Sequence, residues 1–222
     1  MIEIDPDELR KLLIEHKVDI KGIMHIGAHL CEEKHIYNNL LHVDDSNIIW
    51  IDAIDEITQI NRNRGIPNCY TAVLDETERD TTFKITRNDK SNDLNLMSSS
   101  LLELGTHKID HPDVVVFCEI PVRTQTLNQF VNNNSIDISK FNVWNIDVQG
   151  CELGIFRGSR NLLKYADCIF SEVNVKEVYK GCGQMQELDA LLLEEGFTRV
   201  YTYVYESLGW GDAIYIRKNA EI

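Results

Sequence analysis

Short apolar runs that alternate with amphipathic stretches predict one α/β domain. Its sheet is expected to be seven-stranded and mainly parallel, closed by a C-terminal antiparallel hairpin. Two further observations agree. The apolar runs end on glycine or an acid and do not alternate with polar residues, as strands buried on both faces do. The chain has 222 residues, the length of one such domain, with no internal repeat or low-complexity segment, so 1–222 is read as a single domain.

Asp5 before Pro6 reads as an N-cap and first helical residue, and Leu9, Leu12 and Leu13 recur at helical spacing. A helix to His16 is expected within an N-terminal extension of residues 1–20. Residues 22–28 form an apolar run closed by glycine, a buried strand, and 31–41 have a helical pattern. Residues 47–52 (NIIWID) are a second strand, 54–64 a helix that Gly65 ends, and 68–74 a third strand. Strands at 82–86 and 114–120 flank a polar stretch without clear period, so 88–113 is expected to be a lid or acceptor loop. A helix starts at Thr126, with a polar turn at 132–134. The run 142–148 is the strongest strand; Gly150 breaks it and a helix follows over 151–164. Residues 168–174 are a strand, 185–195 a helix stopped by Gly196, and 197–205 with 212–217 a hairpin around Gly209 and Gly211. Tyr37, Trp50, Trp144 and Phe170 are expected in the core.

Composition excludes several classes. Hydrophobic residues make up 43% and charged residues 26%, as in a globule with a sizeable core. No apolar run approaches the roughly 18 residues that cross a bilayer, and the charged start lacks the apolar core of a secretion signal. A cytoplasmic chain with no membrane partner is therefore expected. The formal net charge of -14 repels phosphate backbones, and the densest basic stretch, Arg62 to Arg64, is short, so nucleic acid is excluded as partner. The six cysteines (31, 69, 118, 151, 168 and 182) show neither CxxC nor zinc-ligand spacing and are expected as free thiols.

Ligands of a doubly wound sheet bind at the carboxyl ends of its strands. Gly27 ends the first strand, and a glycine there lets a ligand approach the backbone closely. The full GxGxxG fingerprint is absent, which argues against a nicotinamide-dependent oxidoreductase. Asp52 ends the second strand, where an acid accepts hydrogen bonds from ribose hydroxyls or caps the next helix. Asp147 ends an apolar strand, where a carboxylate costs desolvation unless it is paired, working or capping the turn at Gly150. Glu172 and Asn174 lie two apart on one strand and face the same side.

Residues 27–29, Asp52, the segment WNIDVQGCELGIFRGSRNLL and the strand IFSEVN resemble the FkbM-type methyltransferases, over residues 22–217. The family's Asp-x-x-Gly-x-Glu pattern falls on Asp147, Gly150 and Glu152, and the acid of its next strand on Glu172. The leading loop departs from the family pattern. His25 stands where the family often has Asp, His29 where it has Asn, and Leu30-Cys31-Glu32 replaces its final glycine. The run Ser98-Ser99-Ser100-Leu101 resembles a serine stretch near cofactor or acceptor. The resemblance implies a Rossmann-like class I methyltransferase sandwich. It also implies S-adenosylmethionine as cofactor and O-methylation of a sugar or glycan hydroxyl. Cofactor contacts are then expected from His25, Gly27, Ala28, His29, Asp52, Ala53, Val73 and Asp147. Acceptor contacts are expected from Ser99, Ser100, His107, Gln149, Asn174 and Trp210. Trp210, between two glycines, either packs or stacks on a ring.

A hydroxyl needs a general base, worth about 10²–10⁴-fold, and Asp147 and Glu172 are the candidates, with His107 and His111 behind them. A divalent metal held by Asp147, Glu172 and Asn174 is a second route, not favoured and not required by the resemblance. A non-catalytic nucleotide- or sugar-binding module and a methyltransferase of non-sugar small molecules are the other readings. Oligomeric state stays open, a homodimer included.

Overall fold

The computed structural model describes residues 4–90 and 96–218, so residues 91–95 of the 88–113 stretch and residues 1–3 of the N-terminal extension lie outside the described residues. Helix α1 (Pro6–Glu15) begins where the Asp5 carboxylate accepts the N–H groups of Asp7 and Glu8, and it buries Leu9, Leu12 and Leu13. Strand β1 (Ile23–Ile26), α2 (Lys34–Asn39), β2 (Ile48–Asp52), α3 (Asp55–Asn63) and β3 (Cys69–Thr71) make the first half. An insertion follows, with β4 (Asp80–Asn88), α4 (His107–Asp110) and β5 (Val114–Arg123). The second half has α5 (Leu127–Asn133), β6 (Val143–Ile146), α6 (Glu152–Gly158), β7 (Cys168–Asn174), α7 (Met185–Glu194), β8 (Phe197–Tyr205) and β9 (Trp210–Arg217).

Among the described residues the main sheet has the order β3-β2-β1-β6-β7-β9-β8. Strands β3 to β7 of that series run parallel, while β9 is antiparallel to β7 and to β8. This is the Rossmann-like α/β architecture expected, with its closing hairpin. The strand order reverses between β1 and β6, so their carboxyl ends open a crevice. The two sheet faces bury separate apolar layers. Met24, Ile26, Ile51, Trp144 and Ile146 face α5, α6 and α7, while Ile23, Trp50, Val143 and Phe170 pack with α1 and α2. Tyr37, Trp50, Trp144 and Phe170 are buried as expected, and all six cysteines are free thiols. No helix among the described residues is long and apolar enough to cross a membrane.

Four elements differ from the sequence expectation. The helix over 31–41 shrinks to α2, because His29 (φ 40) and Cys31 (φ 57) are in left-handed conformations that end any helical path upstream. The third strand stops at Thr71, and Leu74 instead bridges to Gln125. The helix over 151–164 breaks at Gly158, where a Cβ would stand 2.6 Å from the Glu76 carbonyl oxygen; a 3-10 turn, Arg160–Tyr165, continues it. The polar turn at 132–134 is mostly the last turn of α5, which buries Phe130 and Val131. The strands at 82–86 and 114–120 are longer than expected and pair with each other, as a two-stranded sheet apart from the main one. Described residues of this insertion, from Phe83 and Asn88 through Leu96 and His107 of the strap between its strands to Val114, line the same cavity as the strand ends.

Candidate active site

The carboxyl ends of β1, β2, β3, β6 and β7 open into one cavity of about 360 Å³. That volume lies in the ~300–1,000 Å³ range of small-molecule sites. Gly27, Ala28, His29, Asp52, Ala53, Val73 and Asp147, seven of the residues named from sequence for the cofactor, line it from the sheet side. Leu96, Ser98, Ser99 and His107 line it from the strap, with Tyr179 and Trp210 opposite.

Gly27 shapes the cofactor wall. Its φ is +85°, and a Cβ there would meet the Asp147 carbonyl oxygen at 1.7 Å, so β1 and β6 approach each other only with glycine at this position. The Asp52 carboxylate accepts the His29 N–H (2.8 Å) with one oxygen and the Ile54 N–H (2.8 Å) with the other. It thus ties the turn after β1 to the start of α3, and both oxygens keep further lone pairs for ligand hydroxyls. Burial pushes Asp52 above its ordinary value, against those two N–H bonds. His29 is fixed by Nδ1 on Glu32 Oε1 at 2.7 Å, and its buried Nε2 has no partner.

The far wall is acidic. Gln149, at φ 58, extends its amide between two carboxylates, donating from Nε2 to Asp147 Oδ1 (2.6 Å) and Glu172 Oε2 (3.0 Å). Its Oε1 accepts the Tyr179 hydroxyl at 2.5 Å, and its backbone carbonyl accepts the Ser100 hydroxyl at 2.8 Å. Glu152 Oε1 accepts the N–H groups of Val148 and Gly150. Burial pushes Glu172 well above the carboxylate range, and Asp147, Glu152 and Asp212 add repulsion. Burial likewise pushes Glu152 up to about 7, opposed by its backbone N–H bonds. No lysine or arginine among the described residues lines this cavity; acids and histidines line it instead, His29, His107 and His111 among them.

Several expected contacts are not made. His25 is 2% exposed and lies inside the sheet beneath the cavity wall, its Nδ1 against the Tyr37 hydroxyl and its Nε2 against Asn145 Nδ2. Two residues upstream of Gly27 it shares the α2 face and cannot reach a cofactor. Ser100 is 1% exposed, and its hydroxyl is held by the Gln149 carbonyl and the Leu102 N–H. Asn174 is buried at the end of β7 and does not line the cavity; it faces the side of Glu172 as expected, donating to Oε1 at 3.4 Å. Ser99 lines the cavity while its hydroxyl takes the Thr86 N–H, and the Gln149 amide is taken by the three groups above. His107 does present a free group: its Nδ1 is buried without a partner, and burial, then His111, lower its pKa to about 4. Trp210 both lines the cavity and packs, against Tyr205 at 5.1 Å. Sequence reasoning missed Tyr179 and Asp212 as lining residues. Asp212 is signalled by register alone, directly opposite Glu172 across the β7–β9 pair.

The sequence matches the methyltransferase FkbM domain over residues 25–199. The chain belongs to the FkbM methyltransferase family. It is thus a methyltransferase. No curated protein matches this FkbM methyltransferase in sequence. Solved structures similar to it include the magnesium protoporphyrin IX methyltransferase of Synechocystis PCC 6803 with bound S-adenosylmethionine. That pair has 8% identity and a TM-score of 0.43, over 96% of this chain and 78% of that one. A SAM-dependent methyltransferase from Aquifex aeolicus has 10% identity and a TM-score of 0.38, over 97% and 100% of the two chains. The CurJ carbon methyltransferase has 10% identity and a TM-score of 0.46, over 96% and 54%. Family membership rests on the domain match and not on these superpositions.

The residues of this FkbM methyltransferase fit the donor. The glycine cradle, the Asp52 lone pairs and the orphaned His29 Nε2 face one cavity of suitable size. The unfavoured metal route from sequence named Asp147, Glu172 and Asn174. Among the described acids, carboxylate oxygens of Asp147, Glu152 and Glu172 lie within 4.8 Å of one another, and Asn174 Nδ2 lies 3.4 Å from Glu172 Oε1. Glu152 Oε1 also accepts two N–H groups, and the Gln149 amide bridges Asp147 and Glu172.

Proposed function

We propose that this methyltransferase acts on a hydroxyl of a sugar or glycan in the cytoplasm, with a carboxylate at the β6 or β7 end receiving the hydroxyl proton. The observation that carries the reading is the single cavity that joins the Gly27–Asp52 wall to Asp147 and Glu172. When bound, S-adenosylmethionine supplies a sulfonium methyl as electrophile. The chain holds donor and acceptor in line and keeps water out, which is where most of the rate of such a displacement arises. The acceptor side is lined by the strap, with His107 Nδ1 without a partner there, and by Trp210, whose ring can meet a sugar face. The net charge of -14 and a cavity without lysine or arginine disfavour phosphorylated and nucleic-acid acceptors.

Calorimetric titration with S-adenosylmethionine, S-adenosylhomocysteine and NADH tests the donor half. Binding of the first two and not the third is expected. Asp52→Ala is expected to weaken both by roughly 100-fold, as two hydrogen bonds at a charged acceptor, about 1.5 kcal/mol each, are lost; an unchanged dissociation constant removes Asp52 from the donor site. Transfer of labelled methyl to a panel of neutral sugars and glycans, with phenols and amines as controls, tests the acceptor half. Labelling of the controls in place of the sugars sinks the sugar reading.

A further inference from the structure

Glu172 is 6% exposed at the end of β7, yet it lines the cavity. The titratable groups around it come from every neighbouring element. They are Asp147 from the end of β6, Glu152 from α6, Asp212 from β9 and Tyr179 from the loop after β7, while His25 and Glu33 share a small polar cavity with Asp147 and Asp212. Three of the first four are acids. Carboxylates from three elements, Asp147, Glu152 and Glu172, lie within 4.8 Å. A cluster so crowded with like charges holds protons that isolated carboxyls would release. A cation admitted to the same cavity reverses that balance, because opposite charge favours the ionised form.

Resting on the donor reading above, we propose that Glu172 is a proton acceptor switched by the charge of the donor. It gives up its proton when the sulfonium donor occupies the cavity, and it takes a proton when methyl transfer removes the sulfonium charge. On donor entry the carboxyl proton leaves to solvent. In transfer the acceptor oxygen bonds the methyl carbon as the carbon–sulfur bond breaks, with its pair staying on sulfur. The hydroxyl proton passes to the Glu172 carboxylate. The products are a methyl ether, a neutral thioether and a neutral carboxylic acid, so charge and protons balance. The base therefore becomes strongest as the acceptor hydroxyl becomes acidic. Burial, and repulsion from Asp147, Glu152 and Asp212, raise the Glu172 carboxyl in the free cavity, the direction this cycle needs.

The two ligands to compare differ by the sulfonium methyl. S-adenosylmethionine and S-adenosylhomocysteine are titrated calorimetrically into the whole chain in phosphate and in Tris at about pH 6.5, where the α-amino group of both is protonated. The dependence of heat on buffer counts protons released. The charged donor is expected to release about half to one proton more than its product. Glu172→Gln is expected to bind both ligands and to erase that difference. Asp212→Asn removes one of the charges that hold the proton on Glu172, so it is expected to shrink the difference; it serves where Glu172→Gln fails to fold. Equal proton counts for the two ligands on the native chain overturn the proposal, as does a difference that survives Glu172→Gln. If neither ligand binds the native chain, the donor reading itself falls, a result distinct from binding with equal proton counts.

Discussion

Gly27→Ala is expected to abolish useful donor binding, with the affinity for S-adenosylhomocysteine falling by roughly 100-fold or more, the scale of a displacement of about 1 Å at a reacting site. Two effects combine at this position. The left-handed φ of +85° is strained for alanine, at a cost of about 1–3 kcal/mol. The second effect is larger for function: the new methyl would overlap the Asp147 carbonyl oxygen at 1.7 Å, so β1 and β6 must part where the cavity is narrowest. Parting them moves Ala28 and His29 away from Asp52, and it moves Asp147 away from the Gln149 amide. Gly65→Ala is the control. Gly65 has nearly the same φ, +80°, with nothing within 4 Å of its Cβ position, so that variant carries strain without collision. Calorimetry on both variants, with urea unfolding alongside, separates the two effects. Gly65→Ala is expected to lose stability and keep donor affinity. Equal donor affinity in Gly27→Ala and the native chain shows that the turn after β1 does not shape the site.

The fold was legible because its signals are local and redundant. The runs at 22–28, 47–52 and 142–148 are mainly apolar without alternating with polar residues, as strands buried on both faces are. Glycine and proline mark several boundaries directly, at Pro6, Gly65 and Gly196. The departures sit where tertiary contact overrides local pattern. The path from His29 to Cys31 looks helical in composition, yet its backbone is bent to bring the His29 N–H onto Asp52, 23 residues away. Gly158 ends α6 for lack of space against Glu76, and no nearby residue announces that. The donor wall was readable because strand ends place Gly27, Asp52 and Asp147 by rule. His25 was misjudged because a residue one short of the strand end is still inside the sheet, and Asn174, at the end of β7, is buried beside Glu172. The serine run was only partly useful, since Ser99 and Ser100 direct their hydroxyls to protein partners. Tyr179 and Asp212 come from a loop and a returning strand far along the chain; pairing register alone brings Asp212 opposite Glu172, and the Tyr179 hydroxyl reaches the site by donating to Gln149.

The acidic wall should also be visible in stability. Glu152 is fully enclosed, and burial, opposed by its backbone N–H bonds, raises its carboxyl from near 4.5 to about 7. The folded chain therefore keeps a proton that the unfolded chain releases between those values. The stabilisation from this group is present in full below its unfolded value and is lost as pH rises through its folded one. Over that window the loss is expected to be about 3 kcal/mol, at about 1.4 kcal/mol for each tenfold change in proton binding. Glu172 shifts in the same direction and extends the loss to higher pH. Other carboxylates in surface ion pairs push the other way in acid, so the native curve alone does not isolate this term. The comparison that does is urea unfolding of the native chain and Glu152→Gln across pH 4 to 8. Glutamine keeps an oxygen for the Val148 and Gly150 N–H groups and cannot ionise. The variant is expected to gain on the native chain steadily as pH rises, with most of the gain complete near pH 7. A difference that does not change with pH, or that grows toward acid, means that Glu152 is ionised in the folded state near neutrality. The crowded acid cluster would then be charged at rest, and the site would meet its cationic donor as a preformed anion.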